Sequence, residues 1–394
     1  MPNGLKVIYK HKPGNAVIIQ ILIKVGSNYE KADERGISHF LEHILFEGTK
    51  KRPSNQLISN EIEKIGGEFN AYTSTERTCF YIKVLKKHFA KAVDVLSDIM
   101  QNSLFAKENI EKEKNIVMKE IDMVHDEPNY YQWILLQKNL FKSHPCKYPT
   151  YGDRTIIQNL NRKKVMDFYS KYYVPNNMLV CVVGDVPNWK NIAKKFTLSR
   201  KKVTKKKLIE EKVSKKNEIK KEKRNMANSY MILGFKTVPK LHNDSYALDV
   251  VNGILGRGQS GKMFTEIRSK QGLAYEVGTQ KVSEVSYGYF AAYASVNRKN
   301  ITQVKDLMLK EISKLKNVTK KDLKEAKDYV EGNYLLDIED GQKVADHTLF
   351  WEQVKDAKMV DKYLNEIKKV KITDVKRVVE KYFNHHTQIV LEGN

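Results

Sequence analysis

The pattern of apolar and polar residues along the chain occurs twice, in two halves of similar size. Each half begins with strand-like apolar runs, continues through a helix, a glycine-rich turn and further strands, and ends in amphipathic helices. The run 16–25 in the first half corresponds to 229–235 in the second, and 84–100 corresponds to 301–315. This order predicts an α+β fold class with two homologous domains, each an antiparallel-rich sheet with helices packed on one face.

A lysine-rich segment without glycine separates the two halves. It covers residues 200–225, and glutamates are interspersed among its lysines. We interpret it as an exposed, partly helical linker. The predicted domain organisation is therefore a first domain at 1–199, a linker at 200–225, and a homologous second domain at 226–394.

Length and cysteine content agree with an intracellular two-domain protein. A chain of 394 residues can build two sizeable cores. Cys79, Cys146 and Cys181 have no metal-ligand spacing and form no disulfide framework, which is typical of a reducing compartment. The N-terminus lacks an apolar signal region, and no apolar run approaches the roughly 18 residues of a membrane span. We therefore expect a cytoplasmic protein that does not associate with a membrane.

The formal net charge of +23 raises the alternative of a nucleic-acid-binding protein. The lysines are, however, spread along the chain and mixed with acidic residues, and neither an aromatic-basic RNA signature nor zinc-finger spacing occurs. We therefore expect no nucleic-acid partner. A nucleic-acid-binding protein of this charge would bind DNA or RNA in a salt-sensitive manner.

The strongest candidate for chemistry lies on the predicted helix at 37–45. His39, Glu42 and His43 share its polar face, because residues three and four apart on a helix point to the same side. Two histidines in this arrangement form a ready pair of metal ligands. Zinc in a hydrolase takes three protein ligands and a water molecule, and a nearby carboxylate can act as general base. Glu42 is placed for that role, and one ligand must come from elsewhere.

A second predicted helix, at 109–123, offers two carboxylates for the third ligand. Glu113 and Glu120 are seven residues apart and therefore lie on nearly the same side. They fall within the apolar stripe, where a carboxylate needs a partner such as a metal or a metal-bound histidine. Periodicity alone does not decide which of the two is the ligand and which supports it.

The motifs HFLEHILFEGT (39–49) and EKEKNIVMKEI (111–121) resemble the inverted-motif zinc peptidases of the pitrilysin family, M16. The likeness is to the short two-domain members, such as the subunits of the mitochondrial processing peptidase and bacterial relatives. The resemblance implies that His39, His43 and Glu120 bind one Zn²⁺ per chain. It also implies that Glu42 is the catalytic base and Glu113 an assisting catalytic glutamate.

Two further motifs resemble substrate-binding elements of that family. The stretch at 66–73 is similar to the edge strand that aligns the substrate backbone, which assigns Asn70 and Ala71 to substrate binding. The second half contains an RxxxGLAY motif, in which the resemblance gives Arg268 and Tyr275 a role in binding the substrate or its transition state.

The resemblance as a whole implies a zinc metalloendopeptidase that hydrolyses peptides or unfolded protein segments inside a dimeric chamber. In the family, two such two-domain units enclose the chamber, so we expect a homodimer or a heterodimer with a related M16 subunit. The alternative is a non-catalytic scaffold or substrate-presenting subunit of a peptidase complex. The presence of Glu42 together with all three ligands favours the enzyme, because a scaffold needs no base.

Overall fold

The computed structural model describes residues 2–205 and 207–394; Met1 and Lys206, which fall in the predicted first domain and linker, lie outside the described residues. The strands are β1 (Lys6–Lys10), β2 (Ala16–Ile23), β3 (Glu68–Thr73), β4 (Thr78–Leu85), β5 (Met178–Gly184), β6 (Glu218–Lys223), β7 (Ser229–Thr237), β8 (Ala274–Ser283), β9 (Gly288–Val296) and β10 (Thr387–Glu392). The α-helices are α1 (Ile37–Leu45), α2 (Asn55–Glu63), α3 (Phe89–Asn102), α4 (Lys107–Asp126), α5 (Pro128–Leu140), α6 (Arg154–Gln158), α7 (Arg162–Tyr172), α8 (Ile192–Lys195), α9 (Asp244–Gly256), α10 (Ile301–Lys314), α11 (Lys320–Asp337), α12 (Gly341–Val354), α13 (Met359–Lys369) and α14 (Ile372–Tyr382).

The strands form two five-stranded sheets with the same topology. The order is β1-β5-β2-β4-β3 in the first sheet and β6-β10-β7-β9-β8 in the second. In each sheet, the strand that comes first in the sequence pairs in parallel with the strand that comes last, β1 with β5 and β6 with β10. All other neighbouring strands are antiparallel. The predicted α+β fold with a duplicated domain is therefore confirmed, and each sheet is mixed with mainly antiparallel pairing.

The chain forms two compact units that are not continuous in sequence. The first consists of the described residues up to 123, of 148–207 and of 337–358. The second consists of 124–147, 208–336 and 359–394. Each unit thus includes a segment from the other half of the sequence.

The segments exchanged in this way each supply one helix to a sheet face. In the first unit, Ala345 and Leu349 of α12 pack in one apolar cluster with Ile18 and Leu22 of β2. In the second unit, α5 covers the corresponding face; its apolar residues Leu135, Leu136 and Leu140 cluster with Ile232, Ile389 and Leu391 of the second sheet. Both faces of each central strand are consequently buried, because all residues of β2 after Ala16 and all residues of β7 except Tyr230 are buried.

The lysine-rich segment differs from the partly helical linker that the sequence predicts. No helix lies within its described residues, and Glu218–Lys223 forms β6, which pairs in parallel with β10. This strand lies at the edge of the second sheet and carries mostly lysine and glutamate side chains. Charged residues on an edge strand prevent unwanted pairing with another chain, which explains why β6 has no apolar alternation.

None of the three cysteines forms a disulfide bond, and all three are buried. Cys79 lies in β4 and Cys181 in β5, where burial raises the pKa of each thiol to about 12. Of the helices that the structure describes, none is both long enough and apolar enough to cross a membrane.

Candidate metal centre and active site

The start of α1, the helix with both histidines, is held by the buried side chain of Glu30. Its carboxylate accepts hydrogen bonds from the backbone N–H groups of Gly36 and Ser38, at 2.8 Å each. The first N–H groups of a helix have no partner within the helix and carry partial positive charge, so a carboxylate satisfies them. Burial raises the pKa of Glu30 to about 7, although these hydrogen bonds act in the opposite direction. Glu30 therefore fixes the position at which α1 begins.

Gly36, just before α1, adopts a left-handed conformation with φ +95°. A Cβ atom at this position would lie 2.6 Å from the carbonyl oxygen of Tyr151 and 2.9 Å from Cα of Gly152. Both contacts are to backbone, which cannot move aside as a flexible side chain can. Only glycine therefore fits between Glu30 and the helix.

We expect Gly36→Ala to lower the free energy of unfolding by about 3 kcal/mol, as the sum of the left-handed conformation and the clash. Urea denaturation of wild type and variant measures this loss. Gly66→Ala is the matched control, because Gly66 also has positive φ (+71°) but no atom within 4 Å of the added Cβ. It should lose only about 1 kcal/mol. Equal losses in the two variants would contradict the steric explanation.

Helix α4 brings two carboxylates to the histidines of α1. His39 Nε2 and His43 Nε2 are 3.3 Å apart. Glu120 Oε2 lies 3.7 Å from His39 Nε2 and 3.5 Å from His43 Nε2. Among the described residues, these three form the one group of His, Cys, Asp or Glu with ligand atoms close enough for a metal ion.

These three separations fit a tetrahedral zinc ion. With ligand distances of about 2.0–2.2 Å, tetrahedral angles place neighbouring ligand atoms roughly 3.3–3.6 Å apart. The distances of 3.3 and 3.5 Å fall within this range, and the third distance, 3.7 Å, lies just above it. Two imidazoles and one carboxylate are also the ligand set of catalytic zinc sites, in which the fourth position is kept for water or substrate.

Glu113, two turns before Glu120 on α4, contacts the outer side of His43. Its Oε2 atom is 3.1 Å from His43 Nδ1, and its side chain is only 5% exposed. Lys112 lies 3.6 Å from the other oxygen of Glu113. An imidazole that donates its Nδ1–H to a carboxylate presents the lone pair of Nε2 to a metal. The two glutamates therefore occupy different positions, Glu120 beside both Nε2 atoms and Glu113 beside Nδ1.

The histidine pKa values agree with a site built for a cation. Burial and the neighbouring His43 lower the pKa of His39 to about 3. For His43, burial acts to lower the pKa, but the hydrogen bond to Glu113 and the charge of Glu120 outweigh it and raise the value. A metal ligand must be deprotonated, and His39 already is at neutral pH. The carboxylates around His43 would equally stabilise a metal charge.

Glu42 lies beside this candidate metal site and is held by Thr73 at the end of β3. The Thr73 hydroxyl donates a hydrogen bond of 2.6 Å to Glu42 Oε2. Burial raises the pKa of Glu42 above its ordinary value despite this hydrogen bond. A carboxylate with a raised pKa is better matched to proton transfer near neutral pH. Thr73 was not identified from the sequence; the only available signal was its position two residues after Ala71, on the same side of the strand.

The edge strand β3 borders the same site. It pairs with β4 on one side only, so its other edge has no strand partner in the described sheet. A cavity of about 230 Å³ next to it is lined by Glu42, His43, Phe46, Glu47, Asn55, Phe69, Asn70, Ala71 and Glu113. The rings of Phe46 and Phe69 are 5.4 Å apart and give the cavity an aromatic wall.

Arg268 and Tyr275 belong to the second unit and are described within it. Arg268 lies in a π-helical turn, Phe264–Ser269, and its guanidinium is 5.1 Å from the ring centroid of Phe264. No carboxylate pairs with it among the residues that the structure describes. Tyr275, near the start of β8, is 60% exposed. Single π-helical turns are frequent at functional sites, and both side chains are available for a ligand.

The sequence of this chain matches known protein families and relatives along most of its length. The insulinase (peptidase family M16) model matches residues 6–154, and the peptidase M16 inactive domain model matches residues 159–330. The chain is 29% identical over 400 residues to an uncharacterized zinc protease, YmxG, of Bacillus subtilis (strain 168), covering 99% of this chain and 96% of the relative. An uncharacterized zinc protease of Rickettsia felis is 33% identical over 341 residues, covering 85% of this chain and 82% of the relative.

Solved structures share the fold over almost the whole chain. A protease from Helicobacter pylori superposes with a TM-score of 0.92 at 24% identity, covering 99% of this chain and 97% of that one. A peptidase M16 inactive domain structure from Pseudomonas fluorescens gives a TM-score of 0.89 at 18% identity, covering 100% and 97%.

Proposed function

Because this chain belongs to the insulinase family, peptidase family M16, we propose that it is a zinc-dependent endopeptidase acting on peptides or unfolded protein segments. The observation that carries the proposal is the convergence of His39, His43 and Glu120 on one position, with the carboxylate of Glu42 beside them. Its direct test is zinc content together with cleavage of an unstructured peptide, in wild type and in Glu42→Gln.

His39, His43 and Glu120 would hold the metal. What zinc supplies at such a site is Lewis-acid polarisation of a peptide carbonyl and of a water molecule. Glu113 orients His43 through Nδ1 and adds negative charge behind it. We propose one zinc ion per chain, because the described residues offer one such group.

Glu42 acts as general base and then as general acid. It removes a proton from the attacking water while the water oxygen bonds to the scissile carbonyl carbon. It then passes that proton to the amine nitrogen as the C–N bond breaks. Thr73 holds Oε2 of Glu42, which leaves Oε1 for both proton transfers. The hydrogen bond from Thr73 to Glu42 thus supports the proposal that Glu42 carries out both proton transfers.

The free edge of β3 binds the substrate backbone by strand addition, through Asn70 and Ala71. A peptide paired there runs past Glu42, because Thr73 at the end of the same strand contacts that carboxylate. The adjacent cavity then accepts one substrate side chain, and its Phe46–Phe69 wall favours an apolar or aromatic one.

Arg268 and Tyr275 contact the substrate, and we propose that they do so at the metal site of a partner subunit. The available guanidinium of Arg268 and the exposed hydroxyl of Tyr275 support a role in binding. The partner is a second copy of this chain or a related M16 subunit, and the two enclose a chamber.

Mixing Glu42→Gln subunits with Arg268→Ala subunits tests this arrangement. Half of the randomly paired dimers contain both variants, and one of their two sites combines wild-type Glu42 with wild-type Arg268. We expect recovery of about a quarter of wild-type activity from two nearly inactive proteins, as for a two-fold symmetric dimer. Mixing Glu42→Gln with a Glu42→Gln/Arg268→Ala double variant is the control and should recover none. If the first mixture also recovers none, each site is built within one chain.

A non-catalytic scaffold or substrate-presenting subunit is the second candidate. The match of residues 159–330 to a model described as an inactive domain favours it. Such a subunit would bind peptides without cleaving them, and replacing Glu42 would change nothing. The Glu42 variant therefore separates the two candidates.

A further inference from the structure

Asp346 of α12 joins three elements of the first unit by hydrogen bonds. Its Oδ1 atom accepts from the Tyr72 hydroxyl of β3 at 2.7 Å and from Gln20 Nε2 of β2 at 2.5 Å. Its Oδ2 atom accepts from Gln342 Nε2, one turn earlier on α12, at 2.6 Å. Gln20 is fully buried and Tyr72 is mostly so. One carboxylate on a helix from the end of the sequence thus holds two strands from its beginning.

The contact matters because β3 is an edge strand. An edge strand is fixed by hydrogen bonds to one neighbour only, so it bends and frays more easily than a central strand. Tyr72 and Thr73 are successive residues whose side chains point to opposite faces of the sheet. Thr73 bonds to Glu42 of α1 on one face, and Tyr72 bonds to Asp346 of α12 on the other. The end of β3 is therefore held from both sides.

We infer that Asp346 is a positioning residue for substrate binding: through Tyr72 it sets the position of β3, the strand whose free edge takes the peptide. The inference rests on the proposed peptidase function. Asp346 touches neither the metal ligands nor the cavity beside Glu42, so it acts on substrate affinity and leaves metal binding unchanged.

Tyr72→Phe removes the hydroxyl and keeps the ring, so it breaks the contact with little change in packing. In the full-length zinc-loaded protein, we expect this variant to raise KM for an unstructured peptide roughly tenfold, because one buried hydrogen bond to a charged group contributes about this much. Its kcat should stay within about twofold of the wild-type value. Asp346→Ala should raise KM by a similar factor. The double variant Tyr72→Phe/Asp346→Ala should have a KM no higher than that of the single variant with the higher KM. Asp346→Asn, which keeps an oxygen acceptor for Tyr72, should restore most of the affinity.

Gln342→Ala is the matched control. It removes another hydrogen bond to Asp346, and Gln342 itself forms no hydrogen bond to a described strand, so KM should stay at the wild-type value. Hydrogen–deuterium exchange of residues 68–73 provides a readout independent of catalysis. The Tyr72→Phe variant should exchange these amides several-fold faster than wild type, and Gln342→Ala should not.

The possible outcomes test the role of the Tyr72–Asp346 hydrogen bond separately from the proposed function. If wild type binds zinc but cleaves no peptide, the proposed function fails. The hydrogen–deuterium exchange rates then test by themselves whether the bond between Tyr72 and Asp346 holds β3 in position. If wild type cleaves and Tyr72→Phe keeps its KM, or if Gln342→Ala raises KM equally, the inference is overturned. Loss of zinc from Tyr72→Phe would also overturn the inference, because the Tyr72–Asp346 hydrogen bond would then act on the metal site.

Discussion

Glu42→Gln is expected to lower kcat for peptide cleavage by at least about 10³-fold while the protein keeps its zinc. The amide that replaces the carboxylate has nearly the same shape and can still accept the Thr73 hydrogen bond, but it cannot take a proton from water. Because Glu42 is not among the three ligand residues, the metal site is left intact. Metal analysis and cleavage of a fluorogenic peptide on the same samples measure both quantities.

Glu47→Gln is the matched control for this variant. Glu47 lines the same cavity as Glu42, but its carboxylate pairs with Lys112 at 2.7 Å and bonds to neither Glu42 nor the ligands. We expect its kcat to stay within severalfold of wild type. Undiminished cleavage by Glu42→Gln would remove Glu42 from the mechanism and favour the scaffold alternative. Loss of zinc from Glu42→Gln would show that this residue holds the metal.

The second large effect is expected for Glu120→Gln, which should lose both zinc and activity. The change removes the one negative charge among the three ligands. Glu113→Gln is the comparison, because Glu113 contacts only the outer nitrogen of His43. Loss of such a supporting partner typically weakens metal affinity by about 10–100-fold, and we expect a larger loss for Glu120→Gln. Competition with a chelator of known zinc affinity measures both variants.

Metal removal gives a readout of the same site without catalysis. A metal that binds the folded chain but not the unfolded chain raises the midpoint temperature of thermal unfolding. A strong chelator should therefore lower this midpoint temperature in wild type and abolish peptide cleavage. Added zinc should restore both the midpoint temperature and the cleavage. Glu120→Gln should show no chelator-dependent change. If Glu113→Gln loses more zinc than Glu120→Gln, the roles assigned to the two glutamates are exchanged.

The core of the site could be predicted because its spacing is local. His39, Glu42 and His43 share one helical turn, and Glu113 and Glu120 share one face of α4, so helical periodicity alone groups them. Periodicity could not rank the two glutamates, since both positions face inward. The distances within the folded unit distinguish them: Glu120 faces both Nε2 atoms, and Glu113 faces Nδ1.

The supporting contacts could not be predicted, because they join common polar residues far apart in sequence. Asp346 has no sequence feature that distinguishes it from a surface residue, and the only signal for Thr73 is its position two residues after Ala71. Glu30 lies closer to its helix, but a carboxylate before a helix is equally typical of a solvated turn. Their roles follow only from the tertiary structure that brings them to α1 and β3.

The fold was predictable where apolar periodicity is strong, as in β2, β7 and α3. β6 was missed because a charged edge strand has no alternation to detect. The sequence also did not predict that α5 and α12 each pack on the sheet formed by the other half of the chain. An amphipathic helix such as α12 shows that it covers an apolar surface, but Ala345 and Leu349 do not indicate which of two similar sheets they cover.

That exchange has a consequence for how the protein is made. The five strands of the first sheet have all left the ribosome soon after Gly184, but α12, which covers one face of that sheet, is complete only at Val354. At synthesis rates of about 5–20 residues per second, the roughly 170 residues between them take on the order of ten to thirty seconds. During that time the face containing Ile18, Leu22 and Leu179 has no covering helix. The nascent chain is therefore expected to depend on a chaperone at this stage, and folding to be completed after the second half has been translated.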